Sequence, residues 1–178
     1  MKILPKQSLF YTKHKGKIVK VHRTQNINNK LNGEYIKRYR PGKYICPIKI
    51  NSNVKTIGEI ELLKFIENKN TRTKNLLIDI RKKGQYLKET IPSSINIPVS
   101  MIENIKQQKQ ILDFFMEHRV KQIVIYDNGL WDDKSKSFID ILLDNKYPAH
   151  KILYYRGGIQ MWKILGFTTI TQEKNREE

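Results

Sequence analysis

Apolar residues fall along this chain in short blocks separated by polar breaks, and the blocks alternate between two periods. "LLIDI" (Leu76–Ile80), "QIVIY" (Gln122–Tyr126) and "KILYY" (Lys151–Tyr155) are compact apolar runs, the mark of strands buried on both faces. Between them lie stretches of helical period. "IELLKFIE" places Ile60, Leu63 and Ile66 one turn apart, behind a capping-box spacing of Thr56 and Glu59. "MIENIKQQKQILDFFMEHR" (Met101–Arg119) predicts one helix. "KSKSFIDILLDN" predicts another, with Phe138, Ile139, Leu142 and Leu143 as its stripe. "GGIQMWKILG" is a helix entered through glycines. "IPSSINIP" (Ile91–Pro98) is extended, with a short strand between its prolines. Upstream, Met1–Asn53 is polar and lacks helical period; "KIVKV" (Lys17–Val21) and "KYICPIKI" (Lys43–Ile50) predict short strands around a loop, with a turn at Pro41-Gly42.

Strands alternating with helices predict an α/β fold: a parallel central sheet flanked by helices on both faces. Such sheets work beyond the carboxyl ends of their strands. That rule selects Asp79–Arg81, Asp127–Asp133 and Arg156–Gly158. A loop running from a buried strand into a helix gathers N–H groups that lack carbonyl partners, and the helix dipole adds to them; together they form an anion cradle. A cysteine opening such a loop would be a stabilised thiolate and a strong nucleophile. Here Asp127 opens it.

Charge divides the chain. The net charge is +17, and Met1–Lys55 hold 14 of the 34 Lys+Arg against one acid, Glu34. This predicts a basic N-terminal extension, residues 1–55, packing on a near-neutral domain at 56–171, with 172–178 as a flexible tail. The extension could meet an anionic partner, nucleic acid or an anionic membrane, or be a solvated face. The single cysteine, Cys46, excludes an internal disulfide and a CxxC pair. His14, His22, His118 and His150 have no metal-ligand spacing and read as surface or loop histidines. No metal site and no cofactor are expected. No apolar run is long enough for a transmembrane helix. Met1–Phe10 lacks the apolar stretch of a signal peptide, so the chain as given reads as cytoplasmic, and as exported if a leader was removed.

The segments "LLIDIR", "IPSSINIP", "IVIYDNG" and "YYRGGIQMWKILGF" resemble, in order and spacing, the signatures of rhodanese-like domains, from about Thr56 to Ile170. Within that family the chain looks like a single-domain bacterial subgroup. The resemblance implies a small α/β fold that shuttles sulfane sulfur through a cysteine persulfide. In that subgroup the active loop reads C-N-G-P-W-C; here it is Asp127, Asn128, Gly129, Leu130, Trp131 and Asp132, followed by Asp133. Both cysteines are aspartate. The resemblance places Asp127 at the nucleophile position and Asp79 and Arg81 at a pair bracing the loop. It also puts Arg156, Gly157 and Gly158 at the bracing segment before the last helix, and Asn96 and Pro98 in the packing segment. Thr90 stands where a histidine is usual and Ser93 where a glycine is usual.

A carboxylate forms no persulfide, so sulfur transfer through position 127 is excluded chemically. Phosphoryl transfer through aspartate would need a cationic clamp, whereas this loop adds Asp132 and Asp133. The local alternative is that the Asp127 carboxylate fills the cradle as a built-in anion, with Asp132 or Asp133 capping the next helix. The expected function is a non-catalytic binding or scaffold module linked to sulfur handling, with a protein partner. One alternative is an active sulfurtransferase using Cys46 or a partner's thiol, since Lys43 and Lys49 would lower a nearby thiol pKa. Another is a basic adaptor for nucleic acid or anionic membrane.

Overall fold

The computed structural model describes residue 3 and residues 7–22, 50–69, 74–129 and 132–171. Strands β3 (Lys55–Ile57), β4 (Asn75–Asp79), β5 (Ser94–Asn96), β6 (Gln122–Tyr126) and β7 (Ile152–Tyr155) form one five-stranded sheet in the order β3-β7-β6-β4-β5. Every pairing in it is parallel. The crossovers carry helices α1 (Glu59–Lys69), α2 (Lys83–Lys88), α3 (Val99–Glu103), α4 (Ile105–Glu117) and α5 (Lys134–Asp144), and α6 (Gly158–Ile164) follows the last strand.

The apolar runs are continuous because the sheet is covered twice. Successive residues of β6 go to opposite sides: Val124 and Tyr126 join a cluster with Leu62, Leu63 and Ile66 of α1 and Trp162 of α6. Ile123 and Ile125 join Phe115 of α4 and Phe138, Ile139 and Leu142 of α5. Period two in the backbone with apolar residues at both parities leaves no polar alternation.

An antiparallel hairpin, β1 (Leu9–His14) and β2 (Lys17–His22), stands outside this sheet. Its two-residue turn, Lys15-Gly16, has φ of 46° and 78°, the doubly positive pattern that suits the twist of a tight hairpin. Phe10 and Val21 sink into the same cluster as α1 and Trp162. The Thr168 hydroxyl accepts the His22 N–H (3.1 Å) and donates to the His22 carbonyl (2.9 Å).

Several expectations change. The helix predicted over Met101–Arg119 is two helices, broken at Asn104, whose side chain accepts the Gln107 N–H at 3.1 Å and caps α4. Thr56 lies in β3 opposite Tyr154. The box is used two residues later: the Glu61 carboxylate accepts the N–H of Gly58 at 3.1 Å, and the Gly58 carbonyl starts α1 by accepting the Leu62 N–H. Ile60 is half exposed, and Leu62 joins Leu63 and Ile66 on the buried face. His14 is buried rather than superficial, and its Nδ1 accepts the Ser93 N–H at 3.0 Å. Lys43–Lys49, with Cys46, and the tail 172–178 lie outside the described residues. Among those described, no helix is long and apolar enough to cross a membrane.

Candidate functional site

β6 ends at Tyr126, and the next residue, Asp127, is wholly buried. One carboxylate oxygen, Oδ1, accepts the Gly129 N–H at 2.9 Å. The other, Oδ2, accepts the Ser135 N–H at 3.3 Å and the Ser135 hydroxyl at 2.5 Å. Ser135 is the second residue of α5, so its N–H is one of the helix's orphan donors. Asp127 therefore caps α5 from eight residues upstream. Asp133, which occupies the N-cap position, makes no side-chain capping bond.

Other described loop residues bond one another as well. Asp132 accepts the Asn128 side-chain amide (2.6 Å) and the Lys134 N–H (3.3 Å), with the Lys134 ammonium 3.5 Å away. The Asp132 N–H donates to the Gly129 carbonyl at 2.9 Å. The Asn128 side-chain oxygen accepts from Gln85 of α2 at 3.3 Å. Thus the amides of residues 129, 132, 134 and 135 each already donate within the loop.

Helix α6 holds the loop from outside. The N–H groups of Ile159 and Gln160, in the first turn of α6, donate to the carbonyls of Asp127 (3.1 Å) and Asn128 (3.2 Å). Gly158 permits that approach. Its φ is +57°, and a Cβ there would sit 2.4 Å from the Gly129 nitrogen. A Cβ at Gly157 would meet the Tyr155 hydroxyl at 2.7 Å. Arg156 is exposed, and no hydrogen bond or ion pair ties it to the loop among the described residues.

Beneath lies a second buried carboxylate. Asp79 Oδ2 accepts from Arg81 Nη2 (2.7 Å), the Thr90 hydroxyl (3.0 Å) and the Tyr126 hydroxyl (2.9 Å), while Oδ1 accepts Arg81 Nε and the Arg81 N–H, both at 3.0 Å. Arg81 also reaches the Glu89 carbonyl at 2.6 Å. Asn96 donates to the Asp79 and Arg81 carbonyls, each at 2.9 Å, and Pro98 opens α3. Burial, then the charge of Asp79, raises the Tyr126 phenol well above its usual range, so it remains a donor. Ser93 adopts φ +73°, the left-handed conformation that a glycine takes without penalty.

The electrostatics of Asp127 differ from those of a built-in anion. Burial, and then the Asp132 charge, push its carboxyl up to about 7, against the lowering pull of the Ser135 hydroxyl and the Gly129 and Ser135 N–H groups. At neutral pH the group is therefore a mixture of acid and anion. Among the described residues no group of three or more His, Cys, Asp or Glu side chains is placed to hold a metal ion.

Tyr126, Gln85 and Ser135 belong to this constellation and were not selected from the sequence. Leu130, Trp131 and Cys46, which were, lie outside the described residues.

A sequence model of the rhodanese-like domain matches residues 60–165. The chain belongs to the rhodanese-like family. No curated protein matches it. Among solved structures, this rhodanese-like chain is similar to a Bacillus halodurans protein with 19% identity and a TM-score of 0.53, over 66% of this chain and 77% of the other. A Lactobacillus plantarum protein matches with 19% identity and a TM-score of 0.50, over 64% and 86%. A Saccharomyces cerevisiae protein, a homolog of single-domain rhodanese and a phosphatase catalytic domain, matches with 17% identity and a TM-score of 0.51, over 64% and 82%. At these identities the likeness is one of fold.

Proposed function

We propose that this rhodanese-like domain transfers no sulfur through its loop and serves as a binding or scaffold module linked to sulfur handling, with a protein partner. The observation that carries the reading is the Asp127 carboxyl itself. It fills the start of the loop, where the resemblance puts the nucleophile, and takes the Gly129 and Ser135 N–H groups that an incoming anion would use. A carboxyl cannot carry a persulfide, and Asp132 and Asp133 add negative charge where an anionic substrate would enter.

We further propose that residues 1–55 act as a basic extension packing on the domain at 56–171. The support is the hairpin, whose Phe10 and Val21 share a core with α1 and α6.

The test is thiosulfate:cyanide sulfurtransferase activity of the native chain, Cys46→Ser and Asp127→Cys. No turnover in the native chain, with turnover gained by Asp127→Cys, is the expected result. Native turnover that vanishes with Cys46→Ser would overturn the reading and make Cys46 the working thiol.

A further inference from the structure

The amino end of the sheet, opposite the Asp127 loop, carries a cavity of about 470 Å³ between the ends of α4 and α5 and the starts of β6 and β7. Arg119, Lys121, Lys146 and Lys151 line it, and among the described residues no acidic one does. None of the four forms an ion pair among the described residues.

Two of these cations occupy a backbone conformation that favours glycine. Arg119 follows α4 with φ +49°, and Lys146 follows α5 with φ +62°. The two helix ends close alike: the Arg119 and Val120 N–H groups reach back to the Met116 and Phe115 carbonyls, and those of Lys146 and Tyr147 to Leu143 and Leu142, all at 2.9 Å. Glycine is the usual residue at such a C-terminal turn. Here both turns carry long cations that line one cavity. A helix dipole accounts for a cation after each helix. It does not account for Lys121, which leads into β6. Lys151, which leads into β7, bonds the Val120 carbonyl at 3.3 Å and brings a fourth positive charge to the same wall.

The apolar part of the wall adds an independent observation. Tyr147 lines the cavity and packs on Phe115 at 5.5 Å between ring centroids, yet its hydroxyl is buried with no hydrogen-bond partner among the described residues. Burial raises this phenol to about 12, so it is a donor at neutral pH. A buried donor left unpaired is unfavourable.

We propose that this cavity binds a small polyanion, a molecule of metabolite size bearing phosphate or carboxylate groups, held by Arg119, Lys121, Lys146 and Lys151. The volume lies within the range of small-molecule sites, and four cations without a carboxylate repel one another until an anion enters.

The experiment is calorimetric and NMR titration of the full 178-residue chain at low salt. Sodium pyrophosphate and citrate are the probes, and whichever binds more tightly identifies phosphate or carboxylate as the preferred group. Saturable one-to-one binding is expected, with amide shifts confined to residues 116–121 and 145–151. Lys121→Glu/Lys146→Glu should weaken it at least about tenfold, and Lys121→Gln/Lys146→Gln about threefold or more, the latter serving where charge reversal impairs folding. Lys13→Glu/Lys15→Glu, on the hairpin, changes net charge by the same amount as the first pair and should alter affinity less than about threefold. Equal weakening by the two charge-reversal pairs would reduce the effect to overall charge and overturn the proposal. So would shifts mapping elsewhere, absence of saturable binding, or binding of duplex nucleic acid alone.

Discussion

Replacing Asp127 by asparagine should change stability with a sign that depends on pH. The native carboxyl titrates at about 7 against 3.8 for a free aspartate. Between these values the folded state holds a proton that the unfolded state releases, so stability from this group is full below about pH 4 and is lost as pH rises through about 7. A shift of roughly three units corresponds to about 4 kcal/mol lost by about pH 8. Asparagine does not titrate, but its amide nitrogen, set where Oδ2 now lies, cannot accept the Ser135 N–H. That lost acceptor costs about 1–2 kcal/mol at every pH. The variant should therefore be less stable than the native chain at about pH 4, match it near about pH 5 and exceed it by about 2–3 kcal/mol at about pH 8. Urea unfolding of both proteins across this range measures the difference, and every other titrating group cancels to first order. A difference that stays constant with pH would refute the reasoning, because it would mean that the carboxyl titrates alike in the folded and unfolded chains.

Other substitutions separate the parts of the site. Gly158→Ala forces a Cβ to within 2.4 Å of the Gly129 nitrogen at φ +57°; it should cost about 3 kcal/mol or more by thermal or urea unfolding. Ser135→Ala removes the hydroxyl that bonds Asp127 and should cost about 1–2 kcal/mol above neutral pH and move the Asp127 carboxyl further up, read by carboxyl-carbon NMR. Asp133→Ala, at a cap position without a capping bond, should cost under about 0.5 kcal/mol in the same assay. Thr90→Val leaves Asp79 without one of its donors and should cost about 1–3 kcal/mol.

Much of the fold is legible because the sheet is buried on both faces. Continuous apolar runs at β4, β6 and β7 could be nothing exposed, and the helical stripe of Phe138, Ile139 and Leu142 lies against them. Shorter elements carried no such signal. β1 alternates in burial but sits in a basic, polar segment, and α2 (Lys83–Lys88) buries only Tyr86. The break at Asn104 is a local side-chain bond, and a helical period runs through it unchanged.

The site divides in the same way. Positions along a strand end are fixed by the sheet, so Asp79 and Asp127 follow from topology. Partners brought together by the return of the chain do not: Ser135 meets Asp127 across eight residues, Gln85 meets Asn128 across 43, and Tyr126 meets Asp79 across 47. Those partners decide the chemistry. Three carboxylates in one loop look like uniform negative charge on paper. In the folded chain Asp132 is tied to the Asn128 amide and to Lys134, and Asp133 has no capping bond. Asp127 is driven inward, where burial and Asp132 hold its proton near neutral pH. Asp127 thereby becomes a structural cap for α5. An Asp127→Cys thiol would lie beside that same Ser135 N–H and hydroxyl, which favour a thiolate. Those are donors that the aspartate now occupies.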